Sequence, residues 1–144
     1  SVTRVDIRIA AYGVIVDGDR VLLAHWNERG RSGWTLPGGG IEPGEDPVDA
    51  VVREIAEETG FEAEAGELLG LDSKVIPAEA RFQLRAVPLH VLRIVYRAKV
   101  VGGTLTNEVG GSTDEAAWFP LDGIPSHRVD LVDTVLSMAG LTSG

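Results

Sequence analysis

The sequence of 144 residues contains no cysteine. A chain without thiols has no disulfides, no thiolate nucleophile and no cysteine ligands for zinc. It also lacks any apolar run near the roughly 18 residues that a membrane-spanning helix needs, and its polar start does not resemble a secretion signal. Its length is close to the roughly 150 residues of a typical domain. We therefore expect one domain over residues 1–144 of a cytoplasmic protein with no membrane partner.

Basic residues are also scarce, because 13 Lys and Arg stand against 22 Asp and Glu, for a net charge of −9. This balance argues against binding to nucleic acid through a general basic surface. The excess is local: residues 42–67 hold ten acids and a single base, Arg53, whereas the other 118 residues hold 12 acids and 12 bases. The acidic segment carries the whole net charge, so function is to be sought there first.

Short β-rich runs and turns fill the first 40 residues. The runs 7–16 and 20–25 predict a hairpin, residues 27–33 a loop, and 34–36 one brief strand. The three glycines at 38–40 are costly to order. They therefore need a reason, such as positive φ or close approach of the backbone to a ligand.

Strand-like segments and a last helix follow the acidic region. Residues 64–76, 89–101 and 116–121 predict strands, and 104–111 a hairpin arm with a loop. Ser126 is a suitable cap for a helix that ends near Met138. The order of elements predicts an α/β fold with a mixed sheet between helices.

The clearest helix lies inside the acidic segment. Asp46 suits the N-cap, Pro47 the first helical position, and Gly60 the C-terminal cap. At 100° per residue, six residues are predicted to form a stripe that packs on the sheet: Val48, Val51, Val52, Ile55, Ala56 and Thr59. Glu54, Glu57 and Glu58 are predicted to lie together on the opposite side.

These three glutamates form either a solvated helix face or a cation site. Solvated faces normally intersperse lysine, because like charges three or four residues apart cost a few tenths of a kcal/mol each. This helix has no lysine, and a divalent cation would offset the repulsion. Carboxylates without cysteine favour Mg²⁺ or Mn²⁺ over Zn²⁺, and the three histidines lack the spacing of a zinc motif. A phosphorylated substrate follows, since Mg²⁺ completes its shell with phosphate oxygens.

The spacing within residues 39–61 matches a known motif. Gly39, Glu45 and the run 53–61 (Arg-Glu-Ile-Ala-Glu-Glu-Thr-Gly-Phe) resemble the Nudix box in every fixed position. Residues 34–40 and 118–121 resemble the usual flanking segments. The resemblance to the MutT-like Nudix hydrolases implies an α/β/α sandwich that binds divalent metals. In that family, water attacks a diphosphate linked to a nucleoside.

The resemblance also implies roles for individual residues. Arg53 is expected to orient a glutamate, and Glu45 either braces the loop or binds metal. The general base is Glu54, Glu57 or an acid on a separate loop. The implied metal ligands are Glu54, Glu57, Glu58, the main-chain carbonyl of Gly38 or Gly39 (with Gly39 preferred), and Glu115.

Glu115 matches a position where relatives place a further metal-binding or basic glutamate. The alternative is a surface acid, with Asp114 beside it. Glu79 and Glu108 are weaker candidates for the same role. The expected catalytic residues are therefore Glu54, Glu57, Arg53 and Glu115.

Substrate contacts are less constrained by the sequence. Arg29, Arg31, Arg81 and Arg85 contact phosphates or serve solubility, and we expect at least one contact. Trp26 and Trp34 stack on a base or pack against the core. The histidines (His25, His90 and His127) are expected to make ordinary structural contacts.

Pro77, 16 residues beyond Phe61, resembles a mark of ADP-ribose pyrophosphatases, although it can also simply end a strand. It favours ADP-ribose or a nucleoside diphosphate sugar over nucleoside triphosphates, including oxidised ones. A nucleotide-sensing module without activity is the other alternative. The resemblance leaves a homodimer open.

Overall fold

The computed structural model describes residues 4–81 and 86–141. Within those ranges the chain forms seven strands, two helices and one 3-10 turn. In chain order these elements are β1 (Asp6–Asp17), β2 (Arg20–Glu28), β3 (Arg31–Thr35), β4 (Gly38–Gly40), α1 (Pro47–Thr59), β5 (Phe61–Ile76), the 3-10 turn (Ala78–Ala80), β6 (Leu89–Gly103), β7 (Thr113–Pro120) and α2 (Asp130–Met138).

Strand β1 organises the sheet. Along one edge it pairs in parallel with β6, from Asp6 opposite Leu89 to Ile15 opposite Ala98. Along its other edge it pairs antiparallel with β4, and with β2 only beside the turn. The strand order is β3-β2-β1-β6-β5, with β4 joined to β1 and β7 joined to β2. The predicted mixed sheet is therefore confirmed.

The two helices pack on opposite faces of this sheet. Consecutive side chains of a strand point to opposite faces, so β1 contributes to two separate hydrophobic clusters. Val14 lies in the cluster that contains the apolar side of α2. Ala11 and Ile15 lie in the cluster that contains Val51 and Ile55 of α1. This arrangement is the expected α/β/α sandwich.

Residues 27–33 do not form the predicted loop. Strand β2 continues to Glu28, and β3 begins at Arg31, so that the two strands form a hairpin. Its two turn residues, Arg29 and Gly30, both have positive φ, at 49° and 80°. Turns of this kind match the twist of the flanking strands, which explains how a polar, glycine-bearing segment extends a sheet.

Two further predictions are wrong. Residues 104–111 contain no strand. Helix α2 begins at Asp130 and is not capped by Ser126, because the preceding segment pairs with β3: Trp34 N donates to His127 O at 3.0 Å, and Val129 N donates to Trp34 O at 2.9 Å. These bonds hold the backbone extended until the helix starts. Neither described helix is both long and apolar enough to cross a bilayer.

Candidate active site

Helix α1 carries the candidate site, and its predicted ends are confirmed. Asp46 is the N-cap residue, although its side chain makes no capping hydrogen bond. Its main-chain carbonyl instead accepts from the amides of Asp49 and Ala50, both at 3.0 Å. Gly60 adopts the left-handed conformation with φ of 77° and ends the helix. Glu54, Glu57 and Glu58 therefore all lie within a helix whose two ends are fixed.

The three glutamates of α1 do not share one solvated side. Glu58 is only 4% exposed, and the side chains of Glu54 and Glu57 are 15% and 48% exposed. At 3.6 residues per turn, Glu58 lies only about 20° around the helix from Val51, which packs on the sheet. The prediction that Glu58 lies opposite the apolar stripe is therefore wrong. Two residues assigned to that stripe, Val48 and Ala56, are exposed instead.

Close packing between β4, β1 and α1 explains the run of glycines. A Cβ on Gly38 would lie 2.3 Å from the carbonyl oxygen of Ala11, and φ there is 152°. A Cβ on Gly39 would lie 2.9 Å from the carboxyl group of Glu54. Glycine is needed because β1 and a carboxylate approach β4 so closely. Strand β4 therefore brings its backbone directly to the glutamates.

The register of β4 decides which of its main-chain groups face α1. Gly39 lies opposite Ala11, and the flanking bonds join Gly13 N to Pro37 O and Ile41 N to Ile9 O. Antiparallel ladders alternate, so the polar groups of Gly39 point to β1. Those of Gly38 point away from it, and its amide donates to Glu58 at 2.9 Å. The register therefore favours Gly38 over Gly39 as a carbonyl ligand for a cation.

Arg53 links the loop before α1 to the carboxylates. Its Nε and Nη2 donate to the two oxygens of Glu45 at 2.8 and 2.9 Å. Its Nη1 donates to Glu54 at 3.0 Å and to Glu57 at 3.3 Å. Glu45 also accepts from the amide of Glu42 at 3.1 Å. Glu45 thus braces the loop, and Arg53 orients the glutamates.

These contacts stabilise the charged form of Glu45. The hydrogen bonds from Arg53, together with the bond from the Glu42 amide, lower the pKa of Glu45 to about 2. The same pairing with Glu45 raises the pKa of Arg53. The brace is therefore ionised throughout the physiological range.

Glu54 and Glu58 form a second kind of pair. Burial raises the pKa of Glu54, although the hydrogen bond from Arg53 opposes the change. Burial raises the pKa of Glu58 well above its ordinary value, although the amide of Gly38 opposes it and the nearby charges of Glu54 and Glu108 add to it. The two carboxyl groups also act on each other's pKa. A cation bound beside them would remove the repulsion between their charged forms.

The donor set fits a hard divalent cation, since it consists of oxygens only. Among residues 4–81 and 86–141, no three acidic or histidine side chains already converge as metal ligands. Glu54 and Glu57 both accept from Arg53, at 3.0 and 3.3 Å. Glu57 is the more exposed of the two, so Glu54 and Glu58 are the more enclosed carboxylates. Mg²⁺ characteristically keeps several waters and phosphate oxygens beside one or two carboxylates, so this set is sufficient.

The acid that lies near this pair is Glu108 rather than Glu115. Glu115 is exposed on β7 and lies three residues before Trp118. Trp118 packs in the α1 cluster, so strand alternation places Glu115 on the other face of the sheet. The structure therefore does not bring Glu115 together with the α1 glutamates.

Glu108 precedes β7 and is held in place. It accepts from the hydroxyl of Thr113 at 2.6 Å, and its charge acts on Glu58. The sequence favours Glu115 over Glu108, because no local pattern marks Glu108. Its proximity to α1 depends on the irregular segment between β6 and β7. Glu79 lies exposed in the 3-10 turn.

The predicted substrate-binding arginines are distributed differently. Arg81 is only 7% exposed, and its Nη1 donates to Asp6 and to Val87 O, both at 2.8 Å. Arg81 therefore forms a structural ion pair with Asp6, and its predicted contact with substrate is wrong. Arg29 is exposed in the β2–β3 turn. Arg31 reaches the carbonyl of Ala80 at 3.4 Å. Arg85 lies outside the described residues.

The tryptophans and histidines make structural contacts. Trp34 packs edge-on against Phe119, with ring centroids 4.7 Å apart, and Trp26 Nε1 donates to Glu28 at 2.6 Å. The histidine contacts are His25 with Asp114 at 2.7 Å, His90 with Ser73 at 2.6 Å and His127 with Ser32 at 3.2 Å. Pro77 directly follows the last residue of β5, as expected for a proline that ends a strand.

Comparisons with known proteins show the family to which this fold belongs. The family model of the NUDIX domain matches residues 6–135. An ADP-ribose pyrophosphatase of Methanocaldococcus jannaschii is 35% identical over 123 residues, which cover 85% of this chain and 67% of that protein. The human 8-oxo-dGDP phosphatase is 34% identical over 111 residues, which cover 75% of this chain and 30% of that protein.

A solved structure shows the same fold. The MutT Nudix hydrolase from Burkholderia pseudomallei has a TM-score of 0.78 and 26% identity, with 92% of this chain and 98% of that chain covered. The chain belongs to the Nudix hydrolase family.

Proposed function

We propose that this Nudix hydrolase cleaves the diphosphate bond of a nucleoside diphosphate linked to a second moiety, with Mg²⁺ or Mn²⁺ as the cofactor. The observation that carries the proposal is the buried Glu58, hydrogen-bonded to the amide of Gly38, with the partly buried Glu54 close to Gly39. Two such carboxyl groups with raised pKa values are costly unless a cation is bound there. The chemistry of the family requires such a cation beside a diphosphate.

The metal would be held by Glu54, Glu58 and the carbonyl of Gly38, with Glu57 available on release from Arg53. When bound, it neutralises charge on phosphate oxygens and lowers the pKa of water. Arg53 and Glu45 hold the carboxylates in position. Glu57 is the proposed general base, since it lies beside the buried pair and is the most exposed carboxylate of the three. Glu108 is the alternative base.

ADP-ribose or a nucleoside diphosphate sugar is the proposed substrate. The archaeal relative is named an ADP-ribose pyrophosphatase, which supports this choice. An oxidised nucleotide is the second candidate, because the human relative is named an 8-oxo-dGDP phosphatase. The cytoplasmic location and the homodimer stay predictions, the latter to be tested by analytical ultracentrifugation.

The test is product release from ADP-ribose, nucleoside diphosphate sugars and nucleoside triphosphates, with Mg²⁺ or with EDTA. We expect water to be added across the diphosphate of ADP-ribose, giving AMP and ribose 5-phosphate only when metal is present. Glu58→Gln and Glu54→Gln should lose activity. The matched control is Glu64→Gln, whose side chain is 63% exposed and, among the described residues, has Lys99 at 3.6 Å as its only ion-pair partner.

Each negative outcome has its own meaning. Tight nucleotide binding without turnover on the whole panel would identify a sensing module and overturn the proposed hydrolysis. Preference for 8-oxo-dGDP over ADP-ribose would select the second substrate class. Full activity in EDTA would exclude the proposed metal dependence.

A further inference from the structure

A diphosphate that approaches α1 meets a strongly acidic surface, so its binding calls for a positive side chain that is not already neutralised. Arg53 is engaged with Glu45, Glu54 and Glu57. Arg81 and Arg93 are paired with Asp6 and Asp72. These three arginines have little charge left to offer an anion.

Arg8 differs from them. It lies exposed on β1, and no carboxylate or hydrogen-bonding partner engages it within the described parts of the chain. Its guanidinium lies beside Gly40: Nη2, Cζ and Nε are 3.5, 3.8 and 3.8 Å from the position that a Cβ on Gly40 would occupy, which is ordinary contact distance.

Gly40 connects Arg8 to the candidate active site. On the edge of β4 that is turned away from β1, which we call its outer edge, the carbonyl of Gly40 accepts from Arg53 Nη2 at 3.2 Å. On the same edge, the amide of Gly38 donates to Glu58. Arg8 lies on the face of β4 that is turned away from Glu54. Strand β4 therefore lies between the acidic site and the exposed guanidinium of Arg8.

We propose that Arg8 is a substrate-binding residue that contacts an anionic oxygen of the phosphate that is not attacked. The diphosphate would then pass around the outer edge of β4, with one phosphate beside Glu58 and the other beside Arg8. This inference rests on the proposed function. It implies selection for substrates with two adjacent phosphates, one for each place.

The test compares wild type, Arg8→Ala and Arg8→Lys in steady-state kinetics on the best substrate of the panel. A charge-assisted hydrogen bond made equally in ground and transition states acts on KM. We expect Arg8→Ala to raise KM by about 10- to 100-fold with kcat within about threefold. Arg8→Lys should recover part of the loss, since lysine keeps the charge without the planar fork.

Arg97→Ala is the matched control. Arg97 is also an exposed arginine of this sheet, and its only ion pair among the described residues is a 3.9 Å contact with Glu67. Its loss should leave KM unchanged. Equal thermal midpoints of the variants would show that the KM effect does not come from misfolding. Raised ionic strength should weaken substrate binding less in Arg8→Ala than in wild type.

An active wild type whose KM is unchanged by Arg8→Ala overturns the inference and leaves the proposed function intact. A wild type that hydrolyses nothing on the panel overturns the proposed function instead. In that case calorimetric titration of ADP into wild type and Arg8→Ala decides on Arg8. Equal affinities, or no binding to either protein, overturn its role, whereas binding that is lost in Arg8→Ala supports it.

Discussion

Arg53 and Glu45, eight residues apart, are joined by two parallel hydrogen bonds of 2.8 and 2.9 Å. The same guanidinium also holds Glu54 at 3.0 Å. The loop before α1 is therefore linked through one planar group to a carboxylate of the candidate active site. We therefore expect the geometry of that carboxylate to depend on Arg53.

Replacing Arg53 with lysine should separate charge from geometry. Lysine keeps the charge but cannot make the fork to Glu45 while holding Glu54. Loss of a group that orients a metal ligand typically costs about 10- to 100-fold in metal affinity or activity. We expect kcat/KM to fall in that range, measured at saturating Mg²⁺ and again across a Mg²⁺ titration. Arg128→Lys, at a surface pair with Asp133, is the control, and equal activity of the two variants would contradict the orienting role.

The Glu45 brace should make stability depend on acid pH. Its pKa in the folded state, about 2, is below the unfolded value of 4.5. Protons therefore bind preferentially to the unfolded chain between these values. The contribution of Glu45 is present above pH 4.5 and is lost as the pH falls towards 2. Urea unfolding between pH 7 and pH 2.5 should show a smaller decline for Glu45→Gln than for wild type, and parallel declines would be evidence against the brace.

Gly38→Ala should destabilise the protein because β1 leaves no space for a side chain. The added Cβ would lie 2.3 Å from Ala11 O and 2.6 Å from the Cα of Tyr12. Backbone atoms cannot move aside as a flexible side chain can, so we expect a loss of about 1–3 kcal/mol in the free energy of unfolding. Gly123→Ala is the control, since its Cβ would have only ordinary contacts with Pro120 from 3.6 Å. Chemical denaturation would measure both, and equal midpoints would contradict the close packing.

Glu58 should couple metal binding to stability. Its pKa is raised by burial, so without metal its ionisation costs stability as the pH rises from 4.5 through its folded pKa. Mn²⁺ should restore that stability, by about 2.7 kcal/mol at a concentration of 100 Kd. Glu58→Gln should lose most of this gain, whereas Glu64→Gln should keep it. Thermal midpoints with Mn²⁺ and with EDTA would measure the effect, and an equal gain in Glu58→Gln would exclude Glu58 as a ligand.

Features that depend on neighbouring residues were accessible from the sequence. The helix 47–59 follows from a proline at its start and a glycine at its end, and the spacing of the Nudix box follows from positions along one chain. The mixed sheet was predicted from the order of strand-like and helix-like segments. In each case the physical cause lies within a few residues: capping, dihedral preference or the period of hydrophobic side chains.

Features that depend on register and packing were decided only by the tertiary structure. Composition predicts a loop at residues 27–33, whereas the structure has a tight turn between β2 and β3, because the positive φ values of Arg29 and Gly30 suit the twist of the paired strands. Pairing of β4 with β1 turns Gly38, rather than Gly39, towards α1. The face of β7 separates Glu115 from the acidic pair, while an irregular segment brings Glu108 close to Glu58.

The sequence by itself determined the helix 47–59 and the spacing of Arg53, Glu54, Glu57 and Glu58 along it, because capping and helical period are local. Tertiary structure decided that Glu58 is buried, that Arg81 is paired with Asp6, and that Arg8 lies exposed beside Gly40. Those outcomes depend on contacts between residues tens of positions apart. Such contacts are set by strand pairing and by the depth at which α1 packs on the sheet, neither of which is encoded in any single segment.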